Sequence, residues 1–170
     1  MFTSPNATLY GWRFYLSYSM PNIDTLRDKA LALLTRREHS RQELRQKLSR
    51  PADTDVAELD NLLDELEEAG WLSDVRFASA YIAAYINRFG QYRLENELRE
   101  RGISDDVIRS ALVEIPAEES ELTRAKTVWQ KKFQTLPHNA NEHARQVRFL
   151  QSRGFSYDTI RRVLSVQDDE

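Results

Sequence analysis

One stretch of the chain occurs twice, and this duplication most constrains the fold. Residues 98–112, LRERGISDDVIRSAL, align without a gap to residues 150–164, LQSRGFSYDTIRRVL, and eight of the fifteen positions are identical. Both copies place a glycine after a helical apolar pattern and a serine before the next one, as expected for the end and the start of helices. A unit of about 40–50 residues buries its remaining apolar surface against neighbouring copies, which predicts an elongated, curved array of repeats.

The repeats are predicted to be helical throughout. Only five of the 170 residues are glycine and five are proline, too few for a turn-rich β fold, whereas Ala, Leu, Glu, Arg and Gln are abundant. Ser40 followed by Glu43 forms a capping box, and Gly70, Gly102 and Gly154 are placed to end helices in a left-handed conformation. We therefore predict an all-α protein with three tandem three-helix, helix-turn-helix-like repeats.

The capping signals also set the expected boundaries. Within the repeats we expect Gly90 to end a helix, Pro116 to begin one, and the last helix to span Tyr157–Leu164 after Ser156. The expected organisation is an irregular leader at 1–24, repeats at 25–70, 71–115 and 116–166, and an acidic tail at 167–170.

Composition argues against an enzyme, a metalloprotein and a membrane protein. The chain has no cysteine, which excludes disulfides, thiolate nucleophiles and Cys-ligated zinc. His138 and His143 do not share a helix face, and no glycine-rich phosphate loop is present. No stretch approaches the roughly 18 apolar residues of a membrane span, and the aromatic leader lacks a secretory pattern. We expect a cytoplasmic protein with no cofactor and no catalytic residues.

Charge is unevenly distributed along the chain, although the net charge is only −3. Residues 27–50 carry eight Lys/Arg and three acids, residues 51–70 carry eight acids and no Lys/Arg, and residues 125–162 carry eight Lys/Arg and two acids. The basic segments can present a basic face to phosphates or to an acidic protein; alternatively, each is the solvated side of a helix. The candidate binding residues are Arg36, Arg37, Arg41, Arg45, Lys47, Lys131, Lys132, Arg145, Arg148, Arg153, Arg161 and Arg162.

Small three-helix units with a glycine-containing turn also occur in DNA-binding proteins. A transcriptional regulator that uses one triplet as a helix-turn-helix is therefore the alternative function. The aromatic residues of the third unit have helical spacing, which favours core positions over base-stacking platforms. These aromatics are Trp129, Phe133, Phe149 and Phe155.

Four segments together resemble the RecX family of regulatory proteins. They are ALALLTRREHSRQELRQKL (30–48), AGWLSDVRFASAYI (69–82), RGISDDVIRSAL (101–112) and RFLQSRGFSYDTIRRVL (148–164). The resemblance implies a bacterial protein that regulates the RecA recombinase in DNA repair, homologous recombination and the SOS response. We expect the protein to be a monomer. The resemblance also implies binding in the groove of the RecA–DNA filament, inhibition of ATP hydrolysis, strand exchange and co-protease activity, and limited filament growth. In addition to filament binding, we expect weak, non-specific binding to single- or double-stranded DNA.

Because the basic segments lie in the first and third repeats, we expect the two ends of the array to contact the filament. Arg41, Arg45, Arg145, Arg148 and Arg162 are the arginines expected to project. The middle repeat is then expected to act mainly as a spacer.

Overall fold

A computed structural model of the chain describes residues 25–49, 55–115 and 120–165, and within these ranges the only regular elements of the backbone are nine α-helices. The all-α prediction is therefore confirmed. The predicted leader and acidic tail lie outside the described residues. The helices are α1 (Leu26–Leu34), α2 (Arg41–Leu48), α3 (Val56–Glu68), α4 (Asp74–Tyr85), α5 (Gln91–Glu100), α6 (Asp105–Val113), α7 (Glu121–Phe133), α8 (Ala140–Ser152) and α9 (Tyr157–Leu164).

Short polar side chains begin almost every helix by accepting a hydrogen bond from a backbone N–H group of the first turn. Ser40 caps α2 by accepting from the backbone N–H of Glu43 at 3.0 Å, as the capping box predicts. Ser156 caps α9 in the same way, which confirms the predicted last helix. The side-chain caps are Thr25, Ser40, Asp55, Ser73, Ser104, Ser120, Asn139 and Ser156.

The duplicated stretch forms the same turn in both copies. Gly102 and Gly154 have φ angles of +81° and +80°, which confirms their predicted left-handed conformation. The backbone N–H of Ile103 donates to the carbonyl of Leu98 at 3.1 Å, and the N–H of Phe155 donates to the carbonyl of Leu150 at 3.2 Å. These matched bonds close α5 and α8 identically, so the sequence repeat is also a structural repeat.

Two predicted helix boundaries are wrong. Gly90 does not end α4, which stops at Tyr85; it lies at the N-cap of α5 with φ −76°. Its small size is needed instead because an added Cβ would overlap the backbone of Gly154. Pro116 lies outside the described residues, and α7 begins only after Ser120, whose hydroxyl accepts from the N–H of Thr123 at 3.3 Å.

Each triplet of helices has its own apolar core, and the most extensive helix–helix contacts lie within a triplet. Trp129 and Phe155 are buried in the third core, and Phe133 and Phe149 pack against it, which confirms that these aromatics are core residues. Among the described helices, none combines the length and apolar character needed to cross a membrane. The residues central to the three cores are Leu44, Leu59, Leu63 and Leu66; Phe77, Leu98 and Ile108; and Trp129, Leu150 and Ile160.

Candidate functional site

The basic residues of the first repeat are largely engaged by acids of the same repeat. Arg41 contacts Asp64 at 2.7 Å and Glu67 at 2.6 Å, both on α3. Arg45 holds Asp60 through two hydrogen bonds of 2.8 and 3.0 Å. Burial acts to lower the pKa of Arg41, but hydrogen bonds to the two acids raise it overall, which keeps the guanidinium charged within the pair.

The remaining first-repeat candidates differ in their surroundings. Arg37 contacts Glu43 at 3.0 Å, Arg36 is exposed, and Lys47 is half-buried. The structure therefore brings Arg41 and Arg45 together with the acidic face of α3, so their positive charge is locally balanced.

Four basic residues of the third repeat lie outside such ion pairs. Lys131, Lys132, Arg145 and Arg148 are exposed, and none lies within ion-pair distance of a carboxylate in the described ranges. On α9, Arg161 contacts Asp158 at 3.5 Å, whereas Arg162 is exposed and has no such contact with a described residue. We define the third-repeat basic face as Lys131, Lys132, Arg145, Arg148 and Arg153.

Two arginines of this face lie over aromatic rings that contact each other. Phe133 of α7 and Phe149 of α8 meet edge to face with ring centroids 5.2 Å apart. The guanidinium of Arg145 lies 5.5 Å from the Phe133 centroid, and that of Arg153 lies 5.1 Å from the Phe149 centroid. Arginines stacked on rings keep their hydrogen-bond donors free for a ligand, because the ring contact uses the flat face of the guanidinium.

The pattern continues into the second repeat, through residues that were not predicted from the sequence. Phe89 lies between Arg93, 4.1 Å from its centroid, and Arg153, 6.0 Å away, while Arg88 is at 5.8 Å. Phe89 is also stacked on Tyr85, with centroids 5.9 Å apart.

Tyr85 in turn contacts Tyr81 at 4.6 Å, and Arg101 lies 4.8 Å over the Tyr81 ring. Two signals in the sequence point to this arrangement: the four-residue spacing of the α4 aromatics and the identity of Arg101 and Arg153 in the repeat alignment. The arginine–aromatic strip consists of Arg145, Phe133, Phe149, Arg153, Phe89, Arg93, Tyr85, Tyr81 and Arg101.

Equivalent ends of helices join the repeats. The N-terminus of α2 meets the turn after α5, and the N-terminus of α5 meets the turn after α8. The N–H of Arg41 donates to the carboxylate of Asp74 at 2.8 Å, and the N–H of Gln91 donates to the carboxylate of Glu121 at 3.2 Å. Asp74 and Glu121 are the first residues of α4 and α7, so the two junctions share one design.

Side chains make most of the junction between the first and second repeats. The buried Ser40 hydroxyl donates to the carbonyl of Arg101 at 2.7 Å. The Glu43 carboxylate forms an ion pair with Arg101 at 3.3 Å and contacts buried His39, also at 3.3 Å. Burial, together with the nearby Arg37 charge, lowers the pKa of His39, so this histidine is neutral near pH 7.

Two backbone–backbone hydrogen bonds distinguish the junction between the second and third repeats. The N–H of Gly90 donates to the carbonyl of Arg153 at 2.8 Å, and the N–H of Tyr92 donates to the carbonyl of Gly154 at 3.2 Å. The buried guanidinium of Arg124 donates to the carbonyls of Ile86 and Phe89 at 3.1 and 3.3 Å. These contacts fix Phe89 beside Arg153 and so set the geometry of the strip.

An open cleft of about 360 Å³ lies where the first and second repeats meet. Its aromatic wall is formed by Phe77, Tyr81 and Tyr85 of α4, and its rim includes Arg37, Glu43 and Arg101. Among the described residues, no three His, Cys, Asp or Glu side chains are grouped so that they can hold a metal ion.

Three family models match the chain in order: the first three-helix domain of RecX at residues 27–58, the second at 73–112 and the third at 118–164. The chain belongs to the RecX family. It is 44% identical over 146 residues to the regulatory protein RecX of Chromobacterium violaceum, covering 86% of this chain and 93% of that one. It is 41% identical over 144 residues to the Ralstonia nicotianae protein of the same name, covering 85% and 89%.

A crystal structure of RecX from Lactobacillus salivarius has the same fold. The TM-score is 0.67, the sequences are 21% identical, and the match covers 81% of this chain and 91% of that one. The regulatory family and the three-helix architecture expected from the sequence are thus confirmed, whereas the binding residues stay predictions.

Proposed function

We propose that this RecX-family protein regulates the RecA recombinase by binding the RecA–DNA filament. In this role it inhibits filament ATPase, strand exchange and co-protease activity, and it limits filament extension. Membership of a family whose members are named regulatory proteins supports the proposal. So does the repeat architecture, because arrays of this kind bind along extended partners.

The unpaired charge of the third repeat indicates which part of the protein contacts the filament. A protein of net charge −3 cannot depend on bulk attraction to a polyanion, so attraction has to be local. The third-repeat basic face supplies such a local positive surface, whereas Arg41 and Arg45 of the first repeat are balanced by α3 acids. We therefore assign the main filament contact to the third repeat.

The test is DNA-dependent RecA ATPase on single-stranded DNA with the protein titrated in. The parent protein is expected to inhibit, and Arg145→Glu with Arg148→Glu is expected to weaken inhibition at least tenfold, about 1.4 kcal/mol. Arg99→Glu with Arg109→Glu reverses the same number of exposed charges on the second repeat, and it is the control for paired arginines because Arg99 contacts Asp105 and Arg109 contacts Asp106. Circular dichroism checks that both variants are folded; a folded third-repeat variant that inhibits like the parent contradicts the assignment.

Direct binding to DNA separates this proposal from the helix-turn-helix alternative. We expect weak binding that is insensitive to sequence and falls steeply with salt, because phosphate contacts release counterions. Tight binding to one duplex sequence in preference to others favours a transcriptional regulator instead.

A further inference from the structure

The arginine–aromatic strip crosses the junction between the second and third repeats and ends at the cleft beside the first repeat. Each ring or guanidinium of the strip lies 4.1–6.0 Å from at least one other member. The third core explains why Phe133 and Phe149 are where they are. It does not explain why arginines cover Phe89, which projects between two repeats.

Charge differs along the strip. Arg145 and Arg153 lie beyond ion-pair distance of any carboxylate that the structure describes, as does the neighbouring Arg88. At the cleft, by contrast, Arg37 and Arg101 both contact Glu43, and Arg101 also contacts Glu97 at 2.8 Å. One end of the path therefore suits phosphates, while the other is an aromatic wall whose surrounding charges are balanced.

Nucleobases are flat, largely uncharged groups that stack on aromatic rings and on guanidinium planes. The phosphates of the nucleic-acid backbone bind free arginines. We propose that the strip binds a single-stranded nucleic acid, with its phosphates on Arg88, Arg145 and Arg153 and a base against Tyr85 in the cleft. A duplex keeps its bases stacked on each other, so it can use the arginines but not the cleft. The middle repeat is then a contact surface rather than a spacer.

This inference deepens the proposed function, since it names the bases of a DNA strand as a ligand of the same surface. It differs from general attraction to DNA because part of the affinity depends on bases. The base-dependent part of the affinity persists at salt concentrations that weaken phosphate contacts.

The test measures fluorescence anisotropy of a labelled oligothymidine, an abasic phosphodiester strand of the same length and a duplex, without any recombinase present. We expect oligothymidine to bind at least fivefold more tightly than the abasic strand, with the difference retained at raised salt. Equal affinity for the two strands overturns the proposal.

Variants locate the contact. Tyr85→Leu keeps apolar volume but removes the flat ring, so it is expected to remove the preference for bases and leave abasic binding unchanged. Tyr85→Phe is expected to retain the preference, and Arg153→Gln to weaken both strands equally. Tyr157→Ala, which removes a 71% exposed tyrosine outside the strip, is the control and is expected to bind like the parent.

A folded Tyr85→Leu protein that keeps the preference for bases contradicts the placement in the cleft. Thermal unfolding of each variant reports whether the fold is retained. If Tyr85→Leu is unfolded, Tyr81→Leu, which removes the neighbouring ring of the cleft wall, is tested in its place. Because the recombinase is absent, these results stand apart from ATPase inhibition. A parent that stacks bases but fails to inhibit RecA contradicts only the proposed function.

Discussion

The first and third repeats carry similar numbers of basic residues, but the residues that surround these cations differ. Residues 27–50 and 125–162 each contain eight Lys/Arg. In the first repeat, the acids of α3 lie across from Arg41 and Arg45 and hold them in ion pairs. In the third, α7 and α8 bring aromatic rings beside Arg145 and Arg153, and neither arginine lies within ion-pair distance of a carboxylate in the described ranges. The charge available to a ligand is therefore set by the neighbouring helix, not by the number of basic residues.

The two repeats also attach differently to the middle one. Ser40 and Glu43 tie the first repeat through side chains, whereas Gly90 and Tyr92 tie the third through backbone hydrogen bonds. The junction of the third repeat therefore depends in part on the close approach of two backbones, at Gly90 and Gly154.

The largest expected effect comes from adding a methyl group at the equivalent turn glycines. Gly154→Ala is expected to lower the free energy of unfolding by about 2–4 kcal/mol, since it combines a positive φ with overlap on the backbone of Arg93. Gly102→Ala is expected to cost only about 1–2 kcal/mol, because the added group meets the flexible side chain of Gln42. Urea unfolding measures both, and equal losses would break the contrast between the junctions.

Acid should act oppositely on the carboxylates at the two junctions. Burial acts to raise the pKa of Glu121, but hydrogen bonds from Thr159, Ser156 and the Gln91 N–H hold it below its usual 4.5. Glu121 therefore stabilises the fold above that value, and this contribution is lost as the pH falls through the depressed pKa. Burial raises the pKa of Asp74 above 3.8 despite the Arg41 N–H, so protonation of Asp74 favours the folded state.

Glu121→Gln tests the sign of this effect. It is expected to cost roughly 1–3 kcal/mol at pH 7 by weakening charged hydrogen bonds and to flatten the loss of stability below pH 4.5. Asp74→Asn is expected to cost less at pH 7. Thermal unfolding from pH 7 to pH 3 checks both, and the reverse order at pH 7 counts against the contrast.

The smallest expected effect is a gain of binding in the first repeat. Asp60→Asn removes the ion-pair partner of Arg45, and because exposed pairs contribute about 0–1 kcal/mol, stability should barely change. The released arginine is expected to raise affinity for single-stranded DNA by about two- to threefold at low salt, because one added phosphate contact releases a further counterion. Fluorescence anisotropy measures the gain, with Asp106→Asn, which releases Arg109 on α6, as the matched control. An unchanged affinity means that Arg45 is not placed to meet DNA even when unpaired.

Local signals made much of the fold predictable. The caps at Ser40 and Ser156 and the turns at Gly102 and Gly154 depend on neighbours within four or five residues, so their sequence pattern was sufficient. The function of Gly90 was not predictable, because it depends on the backbone of Gly154 in another repeat.

The candidate site was predicted only in part for the same reason. Helical periodicity predicts that Arg145 and Arg148 are exposed, and the structure places both at the surface. Pairing of Arg45 with Asp60 depends on how α2 meets α3, and the setting of Phe89 depends on two repeats meeting. Neither relation is present in the local pattern of residues.

The most direct test of the central claim compares two neutralised arginine pairs in RecA ATPase inhibition at one ionic strength. Arg145→Gln with Arg148→Gln removes two unpaired charges from the third repeat, and Arg41→Gln with Arg45→Gln removes two balanced charges from the first. We expect the third-repeat pair to raise the half-inhibiting concentration about tenfold, about 1.4 kcal/mol, and the first-repeat pair to change it less than twofold. Equal effects, or a larger effect of the first-repeat pair, contradict this expectation.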